Sequence, residues 1–123
     1  MAKKTILILD DSASMRATVS ITLNGAGYEV IEAKDGNEGL SKLSGLRVNL
    51  IISDVNMPGM DGITFLKKLK EQAAHRYVPV IMLTTESADD KKQQGKEAGA
   101  KAWIVKPFEP AKLLDAVSKL IQP

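Results

Sequence analysis

A doubly wound α/β fold, with five parallel strands in one sheet and helices on both faces, is the class that the sequence predicts. Three observations carry that reading. Five short apolar runs recur along the chain, the segments between them are long enough for helices, and three of the runs, ILIL, LII and VIML, are continuous. A continuous apolar run suits a central parallel strand covered on both faces, whereas an alternating run suits a strand with one face in water.

The first strand is expected at Ile6–Leu9, directly before Asp10 and Asp11. A helix follows, with Met15, Val19 and Leu23 at four-residue spacing and its end marked by Gly25-Ala26-Gly27. The second run, Tyr28–Ala33, carries Glu29 and Glu32 among its apolar residues, so it is half exposed and belongs at a sheet edge. Gly36–Ser44 reads as an amphipathic helix, and Leu50–Ser53 as the third strand, running into Asp54 and the Met57-Pro58-Gly59 turn. Gly62–Gln72 is a second amphipathic helix, with Ile63, Leu66 and Leu69 opposite its lysines. Val80–Leu83 is the fourth strand. Ser87 is a good N-cap for a helix over Ala88–Ala98, with Asp89 and Asp90 in its first turn and Gly95 weakening its interior. Trp103–Val105 is a short fifth strand suited to the other edge. Glu109-Pro110 opens the last helix with proline at its first position, and Leu113, Val117, Leu120 and Ile121 form its buried stripe. Keeping the mixed second strand at an edge gives the order 2-1-3-4-5, which is flavodoxin-like.

The chain has 123 residues, 44% hydrophobic and 26% charged, which fits one domain over residues 1–123. No second or output domain is expected. Seventeen basic against fifteen acidic residues leave a formal charge of +2, too little to predict nucleic-acid binding without a clustered basic face. The absence of cysteine excludes disulfides and thiolate metal sites and fits a reducing compartment. The start MAKKTILILDD is far short of a signal-peptide core or a membrane span, so a cytoplasmic protein without a membrane partner is expected.

Asp10 and Asp11 follow the first strand, Asp54 the third, Thr84 and Thr85 close the fourth, and Lys106 follows the fifth. In a parallel sheet the carboxyl ends share one rim, so these residues converge where the strand order reverses. Three carboxylates gathered there repel one another by roughly 4 kcal/mol per close pair at an effective dielectric near 20, so a cation is expected. Oxygen ligands without histidine or cysteine select a hard ion, and a few carboxylates with open water positions favour Mg²⁺. With that charge screened, one aspartate can attack a phosphoryl group, and the resulting acyl phosphate needs ammonium and hydroxyl partners, which Lys106 and Thr84 supply.

The segments LDDS, SDVNMPGMDG, MLTTE and WIVKPF, in this order, resemble the receiver domain of two-component response regulators, most closely the CheY-type single-domain chemotaxis regulators. The likeness covers essentially the whole chain. It implies that Asp54 is phosphorylated from a phosphohistidine on a chemotaxis-type sensor histidine kinase. It also implies that Asp10, Asp11, Asp54 and the Asn56 backbone carbonyl hold Mg²⁺, and that Thr84 and Lys106 contact the phosphoryl group. A cis peptide at Lys106-Pro107 is implied, as is a switch that pairs Thr84 with the aromatic at position 103. That aromatic is usually tyrosine or phenylalanine; here it is Trp103, whose indole is larger and has no hydroxyl. Asn56 and Glu86 occupy the positions that tune loss of the phosphoryl group to water, and they read as favouring a short-lived signal. The implied partners are the kinase, a phosphatase, and a target such as the flagellar motor switch, docking on the fourth helix, fifth strand and fifth helix.

Taken singly, these residues have plainer readings. Paired aspartates cap turns, threonines favour strands, and a lysine before proline is a loop residue. Trp103 alone reads as a half-buried packing residue whose indole N–H reaches solvent. Met57 and Met60 read as gap-fillers, His75 as a surface residue, and Lys91, Lys92, Lys96 and Lys101 as a solvated basic side. An aspartate-nucleophile phosphohydrolase is the enzyme alternative, but it needs a second aspartate two residues after the nucleophile. Ser12, Ala13 and Asn56 stand at those positions. A flavin module is disfavoured because DDSASM puts two anions where a phosphate would sit. The chain is therefore not expected to be an enzyme beyond its own phosphorylation and dephosphorylation. Within the favoured class, a phosphate sink or relay is the alternative to a diffusible switch.

Overall fold

The computed structural model describes residues 3–121, which alternate strand and helix throughout. The elements are β1 (Thr5–Leu9), α1 (Ala13–Gly25), β2 (Glu29–Ala33), α2 (Gly36–Leu43) and β3 (Leu50–Ser53), followed by α3 (Gly62–Glu71), β4 (Val80–Thr84), α4 (Asp89–Ala98), β5 (Ala102–Val105) and α5 (Pro110–Leu120). All strand pairs are parallel and the order across the sheet is β2-β1-β3-β4-β5. Both match the expected doubly wound, flavodoxin-like sheet.

The continuity of the central strands has a direct cause in the packing. Leu7, Leu9, Ile51, Val80 and Met82 turn to one face, where they meet Leu43 of α2 and Ile63, Phe65, Leu66 and Leu69 of α3. Their sequence neighbours Ile6, Ile8, Leu50, Ile52, Ile81 and Leu83 turn to the other, against Val19 and Leu23 of α1 and Leu113 and Val117 of α5. Each such side chain contributes about 1.5–3 kcal/mol only when covered, so apolar residues on both faces require a helix on both faces. β2, at an edge, differs. Its Glu29 and Glu32 are exposed, as an edge strand allows.

Helix starts lie close to the carboxyl ends of the strands. Ser12, Asp35 and Asp61 cap α1, α2 and α3, accepting from the N–H groups of Met15, Glu38 and Thr64 at 3.2, 2.8 and 2.7 Å. α4 departs from expectation. Its N-cap is Ala88, which has no side-chain cap bond, and Ser87 lies outside the helix. The reason is that Glu86 is tied on both sides: its N–H donates to Thr84 Oγ1 and its carbonyl accepts from Trp103 Nε1. Ala88 is itself extended, and the helix begins only at Asp89.

A second correction concerns His75, which is buried rather than on the surface. The α3–β4 connection folds back on itself, with the Val78 N–H donating to the His75 carbonyl at 3.1 Å. The imidazole is thereby drawn between Gln72 Oε1, 3.0 Å from Nδ1, and the Leu46 carbonyl, 3.4 Å from Nε2. Met57 is buried and Met60 partly so, both in packing roles. Among the described residues no helix is long and apolar enough to cross a membrane.

Candidate functional site

The three aspartates meet at the carboxyl rim. Asp10 follows β1, and its N–H donates to the Ala33 carbonyl at the end of β2. Asp54 follows β3, and its N–H donates to the Leu9 carbonyl at the end of β1. These bonds extend the parallel ladders by one step and hold both residues at the β1–β3 junction. One carboxylate oxygen from each of Asp10, Asp11 and Asp54 lies within 4.8 Å of the others. Asp10 and Asp54 are buried, at 6% and 7% exposure, while Asp11 faces solvent.

Lys106 arrives from the end of β5. Its backbone N–H donates to the Thr84 carbonyl at 2.8 Å, and the Lys106–Pro107 peptide is cis. Its ammonium donates to Asp10 Oδ2 at 2.6 Å and to Asp54 Oδ2 at 3.0 Å. Burial works to lower the lysine pKa, but the hydrogen bonds and charges of Asp10 and Asp54 outweigh it and hold the pKa above 10.5. The second oxygens are satisfied by the backbone: Ser12 N–H donates to Asp10 Oδ1 at 2.9 Å and Asn56 N–H to Asp54 Oδ1 at 3.2 Å. Three carboxylates are thus gathered beside one ammonium that pairs with two of them, and a net negative charge remains.

A chain of contacts leads from this rim to β5. Thr84 is fully buried at the end of β4, and its Oγ1 accepts from Glu86 N–H at 3.1 Å. The Glu86 carbonyl accepts from Trp103 Nε1 at 2.9 Å. The indole N–H therefore does not reach solvent as expected; it is spent on the backbone of the β4–α4 connection. Gly95 makes room for the ring, since a Cβ there would lie 2.7 Å from Trp103 Cζ3. The side chain of Thr85 is not drawn in with Thr84, and the residue is exposed.

Two features were missed from sequence. Gly62 lies against the back of Asp54, where a Cβ would come 2.0 Å from the Asp54 carbonyl oxygen. It allows the start of α3 to press on the strand end that presents the carboxylate. The second is Arg16 on α1, whose Nη1 donates to the Asp10 carbonyl at 2.6 Å and whose Nε donates to Glu32 Oε1 at 3.2 Å. Asp61-Gly62 in sequence signals only a helix start, and nothing in the spacing of Arg16 and Glu32 marks them as partners.

The carboxylate set fits a hard divalent cation. All three side-chain donors are oxygen, two are held by backbone N–H groups, and their combined charge exceeds what Lys106 cancels.

Residues 6–118 match the family model of the response regulator receiver domain. Among solved structures, the chemotaxis protein CheY4 of Vibrio cholerae superposes with a TM-score of 0.93 at 48% identity, covering 98% of this chain and 100% of that one. The receiver domain of the sensor histidine kinase PA1611 from Pseudomonas aeruginosa PAO1, with a magnesium ion coordinated in its active-site cleft, superposes with a TM-score of 0.89 at 25% identity, covering 97% of this chain and 98% of that one. The phosphate regulon transcriptional regulatory protein PhoB of Pseudomonas aeruginosa is 36% identical over 122 residues, 99% of this chain and 53% of PhoB. The chain spans about half the length of the curated relatives it matches.

Proposed function

We propose that this chain, which belongs to the response regulator receiver domain family, is a phosphoacceptor switch that takes its phosphoryl group on Asp54. The observation that carries this reading is the grip of one ammonium on Asp10 and Asp54 at the mouth of β1 and β3, beside an exposed third carboxylate. In the proposed step, an Asp54 carboxylate oxygen attacks phosphorus of a kinase phosphohistidine. The P–N bond breaks, its electron pair stays on the imidazole nitrogen, and an aspartyl phosphate forms.

Asp10, Asp11, Asp54 and the Asn56 backbone carbonyl would hold Mg²⁺. When bound, the ion supplies positive charge opposite the phosphoryl oxygens. Lys106, already the counter-ion of Asp54, turns to those oxygens, and the Thr84 hydroxyl donates to them. Asn56 beside the nucleophile and Glu86 beyond Thr84 set how readily water reaches the aspartyl phosphate, and both favour a short-lived signal. The only chemistry is then the chain's own phosphorylation and dephosphorylation. Support for the metal comes from the oxygen-only donor set and from the magnesium ion named for the PA1611 receiver.

The receiver domain is read as a chemotaxis switch, supported by its 48% identity to CheY4 over nearly the whole of both chains. Its kinase is then a chemotaxis-type sensor kinase, its signal is ended by a phosphatase, and its target is a protein such as the flagellar motor switch. Docking on α4, β5 and α5 is supported, for the first two, by a cleft of about 290 Å³ between α4 and β5, lined by Trp103, Lys92, Lys96 and Lys101. A second reading, a receiver that governs transcription, is favoured by the likeness to PhoB.

Phosphate incorporation from a small phosphodonor, followed by intact mass, tests the site. Asp54→Asn should abolish incorporation, and incorporation at wild-type level elsewhere would refute the assignment. Trp103 is the chain's only tryptophan, so its emission should change on phosphorylation if the switch reaches β5. Capture with phosphorylated and unphosphorylated protein separates a motor component from a transcription partner or a sink.

A further inference from the structure

We propose that Arg16 is a positioning residue for the acidic rim, holding the Asp10–Asp11 peptide so that the carboxylates meet a divalent cation. This rests on the Mg²⁺ reading above. The side chain is half-buried, 18% exposed, and its guanidinium bridges two elements. Nη1 donates to the Asp10 carbonyl at 2.6 Å and Nε to Glu32 Oε1 at 3.2 Å. Glu32 is anchored in turn, since its Oε2 accepts from the hydroxyl of buried Ser20 at 3.2 Å. The result is a chain of contacts from α1 through the edge strand β2 to the backbone between the two aspartates.

The Asp10 carbonyl belongs to the planar unit that ends at the Asp11 Cα, so gripping its oxygen fixes the plane from which the Asp11 side chain departs. Asp10 has its own restraints, from Ser12 N–H and Lys106. Asp11 is exposed, and the orientation of that peptide is what aims it at the other two carboxylates.

Charge alone argues the opposite way. A guanidinium near a cation site repels the incoming ion, and Glu32 offsets that repulsion. The two accounts therefore predict opposite signs for removal of Arg16. If positioning dominates, losing the side chain weakens Mg²⁺ binding; if charge dominates, it strengthens it.

The test is calorimetric titration of the full chain with MgCl₂, with circular dichroism checking that each variant is folded at the titration temperature. Arg16→Met should weaken Mg²⁺ binding about tenfold, the scale typical of groups that orient metal ligands. Arg16→Lys keeps the charge but lacks the fork that spans both acceptors, and should weaken binding at least about threefold. The maximal rate of phosphorylation from a small donor should recover at saturating Mg²⁺ in both, which a general loss of structure would not allow. Tighter binding by Arg16→Met, or wild-type affinity in Arg16→Lys, overturns the proposal. Should Arg16→Met fail to fold, Arg16→Lys decides alone. Wild-type protein with no saturable Mg²⁺ binding, or binding untouched by Asp54→Asn, instead overturns the metal reading on which this one rests.

Discussion

Asp11→Asn should make the metal-free protein more stable and the Mg²⁺-saturated protein less stable than wild type. At the 4.8 Å limit of the cluster, one carboxylate pair repels by about 3.5 kcal/mol at an effective dielectric near 20, and by about 0.9 kcal/mol at that of water. Asp11 meets the carboxylates of Asp10 and Asp54, which share the single ammonium of Lys106, so the net effect is close to one repulsive pair. It is exposed, which places the value near the aqueous end, about 1 kcal/mol. For a chain of this size that corresponds to a melting point raised by about 4 °C. With free Mg²⁺ at a hundred times its Kd, wild type gains about 2.7 kcal/mol from binding, much of which the variant forfeits with one of its ligands. Thermal melts of both proteins in EDTA and in excess MgCl₂ should therefore cross in order. Added NaCl should shrink the difference in EDTA. A variant that melts at or below wild type in EDTA would refute the view that this rim is held together against its own charge.

Removal of the Lys106 charge should show in the alkaline limb of stability. Its folded pKa lies above 10.5, so its contribution is complete below that value and is lost as pH rises through the folded pKa, by up to about 1.4 kcal/mol per pH unit. Wild type should thus lose stability above about pH 10.5 more steeply than Lys106→Met in urea titrations, and parallel curves would exclude the ion pair as the source. Gly62→Ala drives a Cβ to 2.0 Å from the Asp54 carbonyl and should cost about 3 kcal/mol or more by urea denaturation, with slowed phosphorylation; wild-type stability would contradict the close approach. Gly95→Ala sets a steric cost of about 1–3 kcal/mol against a helix gain of about 1 kcal/mol, and should shift Trp103 emission to the red as the indole is pushed from Glu86. Unchanged emission would mean the ring does not depend on that gap.

The strand order and the acidic rim were legible because both follow from local pattern plus one rule of parallel sheets. ILIL, LII and VIML demand cover on two faces, YEVIEA does not, and residues after strand ends must share a rim. What was not legible depends on where a particular group from another part of the chain comes to lie. Ser87 has the right chemistry for a cap, yet the bonds of Glu86 to Thr84 and Trp103 decide where α4 begins. His75 is polar and solitary in sequence, but the carbonyl of Leu46, 29 residues away, gives its ring a buried partner. Gly95 looked like a weakness in α4 and is the space that Trp103 occupies. In each case a long-range contact overrode a sound local preference.

The arrangement at Glu86 also bears on how a signal would leave the rim. A threonine hydroxyl carries one donor and two acceptor positions. The Thr84 Oγ1 already accepts from Glu86 N–H, which leaves its proton free. Donation toward a phosphoryl group on Asp54, as proposed, therefore does not require the Glu86 bond to break. The hydroxyl would instead pull on the Thr85–Glu86 peptide, and the next peptide, on the other side of the Glu86 Cα, carries the carbonyl that holds the Trp103 N–H. A tyrosine or phenylalanine at that position has no indole N–H to fasten to that carbonyl. Motion at Thr84 would then reach β5 through the two peptide units that flank the Glu86 Cα and one indole, with the Gly95 gap deciding how far the ring can follow.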